Sequence, residues 1–184
     1  MFIASEKRKE NIAEYLLYMW QIEDMIRAND LNIDRIRANV IDRYDLSDEQ
    51  KRQMTEWYES LIDMMRREEV TKTGHLRINR NMLADIVRLH QALLADPRFA
   101  DYTAEFYRTL PYIVELRSKA GDAPDGEIET CFNALYGMLM LRLQGKEVTP
   151  ETQNAIKQIS KFIALLSRNY HLDEQEKLFE NKEE

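Results

Sequence analysis

The sequence contains little cysteine, glycine or proline. Cys131 is the single cysteine among 184 residues, so no internal disulfide can form, and its apolar neighbours indicate a small buried side chain in a reducing compartment. The five glycines and four prolines lie at or near the ends of segments with helical periodicity, except for Gly137 and Pro111. We therefore expect a chain made mainly of helices with short connections.

Long apolar runs and a basic surface are also lacking. The longest unbroken apolar stretch, Tyr15 to Trp20, is too short to span a bilayer, and residues 1–11 lack the apolar run of a secretory signal. The formal net charge is −7, and residues 171–184 contribute −4 of it through six acidic residues against two lysines. These features predict a cytoplasmic protein that binds neither a membrane nor nucleic acid.

Motifs for metal binding or nucleophilic catalysis are missing as well. Metal ligands in helical bundles share a face at i, i+3 or i, i+4, and neither His75 nor His90 has a Glu or His at that spacing. His171 has Glu174, but in a segment that we expect to be frayed. Cys131 could pair with His90 from a distant segment, yet its wide apolar helix face favours core packing. We predict no metal, no cofactor and a protein that is not an enzyme.

Apolar residues recur at helical spacing along most of the chain. Caps and spacing predict helices at residues 11–29, 31–44, 48 to about 73, 79–95, 97–119, 127–144 and 150–170. Pro111 should kink or break the fifth helix near Thr109, because it removes an internal hydrogen bond. The predicted fold is all-α, a single irregular bundle of six long helices plus one short helix over residues 1–170. Residues 171–184 are predicted to form an acidic, frayed tail.

The width of each apolar arc predicts how deeply a helix is buried. The first and sixth predicted helices are apolar over much of their circumference, so we expect them to form the central pair. The third and seventh carry one narrow apolar stripe and should lie at the periphery.

Several polar residues fall inside these apolar arcs. They are Glu23, Glu68, His90, Arg117 and Arg142. One interpretation is that each is satisfied locally, for example Glu23 by Arg27 one turn away. A second is a buried network that fixes helix register, with Glu23 paired to Arg142 across the central helices. A third is a pocket in which Arg117, Arg142 and His90 bind a small anion.

Four outward apolar residues suggest a subunit interface. Leu17, Met25, Met64 and Met140 lie off the inward arcs of their helices. Because a monomer seldom exposes a large apolar patch, these residues favour a homodimer or another protein partner.

Several segments resemble a family of short bacterial proteins that is described as a domain of unknown function. They are residues 9–27 (KENIAEYLLYMWQIEDMIR), 74–81 (GHLRINRN), 109–119 (TLPYIVELRSK), 129–144 (ETCFNALYGMLMLRLQ) and 160–166. The resemblance implies a bacterial, cytoplasmic, all-helical protein and carries no activity over to any residue.

The pattern of residues favours a non-enzymatic interaction or structural module. The alternative is a small-anion-binding protein or an unrecognised enzyme that uses Arg142, Arg117 and His90.

Overall fold

The computed structural model describes residues 2–119 and 126–179, and all regular secondary structure in these two ranges is helical. The α-helices are α1 (Phe2–Glu10), α2 (Ile12–Ala28), α3 (Ile33–Asn39), α4 (Asp48–Arg67), α5 (Arg77–Ala95), α6 (Ala100–Lys119), α7 (Glu127–Leu143) and α8 (Pro150–Glu174). Short 3-10 turns occupy Ile41–Arg43 and Pro97–Phe99. The predicted all-α class is confirmed. Within these ranges, no helix has the length and apolar character needed to cross a membrane.

Helix α4 and helix α8 begin at the predicted caps. The hydroxyl of Ser47 accepts a hydrogen bond from the N–H of Gln50, and the side chain of Gln50 accepts one from the N–H of Ser47. This reciprocal capping box satisfies two backbone donors that have no partner within the helix. Thr149 caps α8, and Pro150 occupies the first helical position, where its missing N–H costs nothing.

Helix α1 was not among the predicted helices. Among residues 4–10 only Ala4 is buried, so this segment has no apolar stripe that periodicity could detect. The helix packs against α2, and Asn11 separates the two. The side chain of Asn11 accepts hydrogen bonds from the N–H groups of Ala13 and Glu14, which starts α2.

Helix α6 continues through Pro111, whereas we expected a kink or break near Thr109. Pro111 has no N–H, so the carbonyl of Tyr107 loses its helical donor. Both residues are exposed, and water can hydrate that carbonyl. On the opposite face, Thr109 and Ile113 are fully buried and hold the helix against the core.

Helices α2, α7 and α8 share the centre of the fold. Helix α2 packs against α1, α5, α7 and α8, and helix α7 packs against α2, α5, α6 and α8, as their broad apolar arcs predict. The narrow apolar stripe of α8 predicted a peripheral position, and this prediction is wrong. Helix α8 packs against α2, α5, α6 and α7. Its 25 residues let one stripe meet different neighbours at different levels.

The segment predicted to be a frayed tail is partly packed. Helix α8 extends to Glu174, beyond the expected start of the tail at His171. The ring of Phe179 lies 5.5 Å from the ring of Phe99, and Arg98 donates a hydrogen bond to the Phe179 carbonyl at 3.4 Å. Residues 180–184 of the predicted tail lie outside the described residues.

Replacing Pro111 with alanine should stabilise the protein. The substitution restores an N–H donor to the Tyr107 carbonyl and removes the ring from the helix, so we expect the free energy of unfolding to rise by about 1–3 kcal/mol. Urea denaturation followed by circular dichroism measures this change. Val114→Ala, at an exposed position on the same helix, is the control and should have a small effect. A less stable Pro111→Ala protein would contradict this account of α6.

Candidate functional site around Glu23

The carboxylate of Glu23 is fully buried on α2 and reaches the start of α5. Its Oε1 accepts hydrogen bonds from the backbone N–H of Leu76 at 2.9 Å and from Nδ2 of Asn79 at 2.7 Å. Its Oε2 lies 2.6 Å from Nδ1 of His75. We call these four residues the Glu23 cluster. The negative charge lies where free N–H groups and the helix dipole of α5 favour an anion.

The imidazole of His75 is held from two sides. One side is the contact with Glu23, and the other is the indole of Trp20, which stacks on the imidazole with ring centroids 4.2 Å apart and planes 15° apart. Trp20 is itself buried and contacts Tyr136 edge to face. The His75 side chain remains 32% exposed, so it forms the surface of the Glu23 cluster.

Arg27 anchors the loop that carries His75. Its guanidinium donates hydrogen bonds to the carbonyls of Val70 and Gly74 and to the carboxylate of Asp24. Gly74 has φ +85°, a conformation that favours glycine. The expected local pair between Glu23 and Arg27 therefore does not form. Arg27 binds the loop carbonyls instead, and Glu23 accepts hydrogen bonds from residues at the start of α5.

Glu68 joins Glu23 at the start of α5. It is the residue that ends α4, and its carboxylate accepts a hydrogen bond from the N–H of Arg77, the first residue of α5. The two acidic residues that periodicity placed inward thus meet at one helix end, where each accepts from a different backbone N–H. Asn79 retains one unmet requirement, since its buried Oδ1 has no hydrogen-bond partner among the described residues.

His90 belongs to the core. Its side chain is 5% exposed, its Nδ1 lies 2.6 Å from the hydroxyl of Tyr102, and its ring packs on Phe106. Burial lowers the pKa of His90 to about 4, which keeps the imidazole neutral near pH 7. Cys131 is fully buried, and burial raises the pKa of its thiol to about 12, so the thiol stays protonated.

The two arginines lie apart from the Glu23 cluster. Arg117 donates a hydrogen bond to Glu127 at 3.3 Å, and its buried Nε has no partner in residues 2–119 and 126–179. Arg142 is exposed on α7, at the rim of a groove between α2, α7 and α8. Glu127 begins α7 and Arg142 nearly ends it, about 22 Å away along the helix axis. The structure therefore does not place Arg117, Arg142 and His90 around one pocket, nor does it pair Arg142 with Glu23.

A second buried carboxylate, Glu105, escaped detection from periodicity. It is 5% exposed on α6 and accepts hydrogen bonds from Gln158 at 2.8 Å, Lys161 at 3.0 Å and Arg108 at 2.7 Å. The hydrogen bond from Lys161 is the main cause that lowers the pKa of Glu105. Its partners on α8 are more than 50 residues away in sequence, so local spacing carries no sign of them.

Within the described residues, no group of three or more His, Cys, Asp or Glu side chains could hold a metal ion. Residues 1–177 match the family described as a domain of unknown function, DUF4924. The chain belongs to this family. Comparison with curated proteins and with solved structures gives no match. Membership in DUF4924 agrees with the resemblance seen in the sequence and assigns no activity to the Glu23 cluster.

Glu23→Ala should strongly destabilise this DUF4924 protein. The substitution leaves the N–H of Leu76, the amide of Asn79 and the imidazole of His75 without their acceptor in the interior, so we expect a loss of about 3 kcal/mol or more. A thermal melt followed by circular dichroism measures it. Glu59→Ala is the control, because it also removes a carboxylate, from an exposed position on α4. Equal stability of the two variants would rule out the structural role of Glu23.

His90 should make stability depend on pH. The unfolded chain protonates His90 near the ordinary pKa of 6.5, whereas the folded chain does so only near 4. Between these values the unfolded state binds more protons, so the free energy of unfolding falls as the pH is lowered from 6.5 to 4. Urea denaturation at several pH values in this range gives the free energy of unfolding at each pH. This free energy should fall less steeply with decreasing pH for His90→Gln than for the wild type. His171→Gln, at an exposed position, should keep the wild-type slope, and an unchanged slope in His90→Gln would contradict the assignment.

Proposed function

We propose that this chain is a non-enzymatic interaction module that forms a homodimer through the groove between α2, α7 and α8. The observation that carries the proposal is an apolar groove of about 440 Å³ beside an exposed leucine on the same helix. Its apolar lining consists of Ala13, Leu17, Leu135, Met138, Leu139, Ile156, Ile163 and Ala164. We call this the α7 groove. A space of this kind suits apolar side chains from another protein surface.

The neighbour of the α7 groove suggests which surface fills it. Leu143 is 69% exposed and lies one turn beyond Leu139 on the same face of α7. In a two-fold dimer each copy offers the same patch, so a protruding side chain next to a groove can enter the groove of the second copy. Two copies related in this way would each bury Leu143, which explains why groove and leucine adjoin.

Charge at the rim supports the same arrangement. Arg142 lines the α7 groove and makes no ion pair with the described residues. Glu14 lines the groove as well, with a side chain that is 60% exposed and pairs with Lys7 at 3.1 Å. A dimer that buries Leu143 brings such rim charges close to those of the second copy, and complementary rim charges fix orientation more than they add affinity.

The outward apolar residues seen in the sequence do not share one surface. Leu17 lines the α7 groove, whereas Met64 lines a different groove together with Trp57 and Ile78. The α7 groove is the better candidate of the two grooves because it adjoins Leu143, which is 69% exposed. Ile78, in the lining of the other groove, is 47% exposed. The alternative function is binding of a small anion by Arg142, Arg117 and His90, and of these three residues only Arg142 lines this groove.

Leu139→Glu should convert a dimer into a monomer, because a carboxylate would be desolvated inside the interface. Sedimentation velocity over a range of protein concentrations distinguishes the dimer from the 21.9 kDa monomer. Leu143→Glu should have the same effect, since it changes the side chain that enters the groove. Val114→Glu is the matched control, since Val114 is exposed on α6 and does not line the groove. A wild-type monomer at high concentration, or a Leu139→Glu dimer, would overturn the proposal.

A further inference from the structure

The contacts of Glu23 determine which nitrogen of His75 carries the proton. Oε1 already accepts two N–H donors, from Leu76 and Asn79, and this arrangement stabilises the carboxylate as an acceptor. Oε2 therefore also accepts, and Nδ1 of His75 at 2.6 Å must be its donor. Whenever the imidazole is neutral it carries one proton, here at Nδ1, so Nε2 of His75 then has its lone pair.

The lone pair of Nε2 is accessible and held in a fixed direction. The side chain of His75 is 32% exposed, and Nε2 has no hydrogen-bond partner among the described residues. The stacked indole of Trp20 and the buried carboxylate of Glu23 prevent the ring from rotating. A histidine nitrogen oriented by a carboxylate behind it is the arrangement that proteins use for bases, nucleophiles and metal ligands.

The other two histidines lack this arrangement. His90 is buried and pairs with the hydroxyl of Tyr102. His171 is exposed on α8, and its Nε2 lies 2.7 Å from the side-chain amide of Gln175. Neither histidine has a carboxylate on a ring nitrogen, so both provide comparisons within the same molecule.

We propose that Nε2 of His75 is a nucleophilic modification site that accepts the acyl group of an activated acyl donor, with Glu23 as its positioning residue. The Nε2 lone pair forms a bond to the acyl carbon, and the leaving group departs with the electron pair of the bond that breaks. The ring becomes cationic, and its Nδ1 proton passes to Oε2 of Glu23, which leaves a neutral acyl-imidazole. Glu23 thus compensates the charge that the transfer creates.

Diethyl pyrocarbonate, an activated acyl donor, tests the proposal on the 184-residue chain. It transfers an ethoxycarbonyl group to imidazole nitrogens, and peptide mass spectrometry over a time course gives the rate at each histidine. His75 should react several-fold faster than His171, although His75 is the less exposed, and His90 should be protected by the core. A rate at His75 equal to or below that at His171 would overturn the proposal.

Glu23→Gln tests the positioning role. The glutamine carbonyl can still accept from Leu76, but its amide then donates to Nδ1, which moves the ring proton to Nε2. The rate at His75 should fall by about tenfold or more, as expected when the wrong tautomer is imposed. Asp24→Asn is the matched control, because it removes the same charge from the next residue of α2, whose partners are Arg27 and Tyr136. An equal fall in both variants would overturn the role of Glu23.

Nitrogen-15 NMR of the wild-type protein keeps the proposal testable if Glu23→Gln does not fold. The chemical shifts of the two ring nitrogens distinguish the tautomers, and His75 should carry its proton on Nδ1. A proton on Nε2 would leave no lone pair at the surface and would overturn the proposal. This measurement is independent of dimer formation, so the two proposals fail separately.

Discussion

The hydrogen bonds between the Glu23 carboxylate and the start of α5 hold helix α2 against helix α5. A buried carboxylate is tolerated only where donors surround it, and residues 75–79, at and just before the start of α5, supply an imidazole, a backbone N–H and an amide. These donors are fixed to one helix end, so α2 can meet α5 in a single register. The stack of Trp20 on His75 and the second carboxylate, Glu68, on Arg77 both follow from that register.

Glu23 and Glu105 show two ways of burying a carboxylate. Glu105 accepts from Lys161 and Arg108, whose side chains are each 65% exposed, so flexible cations at the surface neutralise it. Salt screens such pairs, and their long side chains adapt to small shifts of the helices. The hydrogen-bond partners of Glu23 are His75, Leu76 and Asn79, and none of them is a flexible cation such as lysine or arginine. The contacts of Glu105 with α8 therefore stabilise packing between α6 and α8. The Glu23 cluster, in contrast, fixes the position of α2 relative to the start of α5.

Periodicity identified apolar faces on the helices after α1, although it also placed the exposed Arg142 inward, and it did not predict which helix each apolar face contacts. The burial of Glu23 and the caps of α4 and α8 followed from local sequence. The partner of Glu23 did not, because His75 is 52 residues away and follows a loop without apolar spacing. Helix α1 was missed because it lacks an apolar stripe, and the continuity of α6 at Pro111 depends on tertiary packing that local rules ignore.

The two carbonyls that Arg27 binds, those of Val70 and Gly74, are the two ends of a short loop. The guanidinium works there as a noncovalent cross-link, so the position of the loop ends does not depend on what lies between them. Between these two ends lie Thr71, Lys72 and Thr73, each of which is half-buried or exposed. Because closing a longer loop costs little additional entropy, residues can be inserted at this point while His75 keeps its place. The protein thus carries a built-in position for sequence variation directly beside its most constrained side chains.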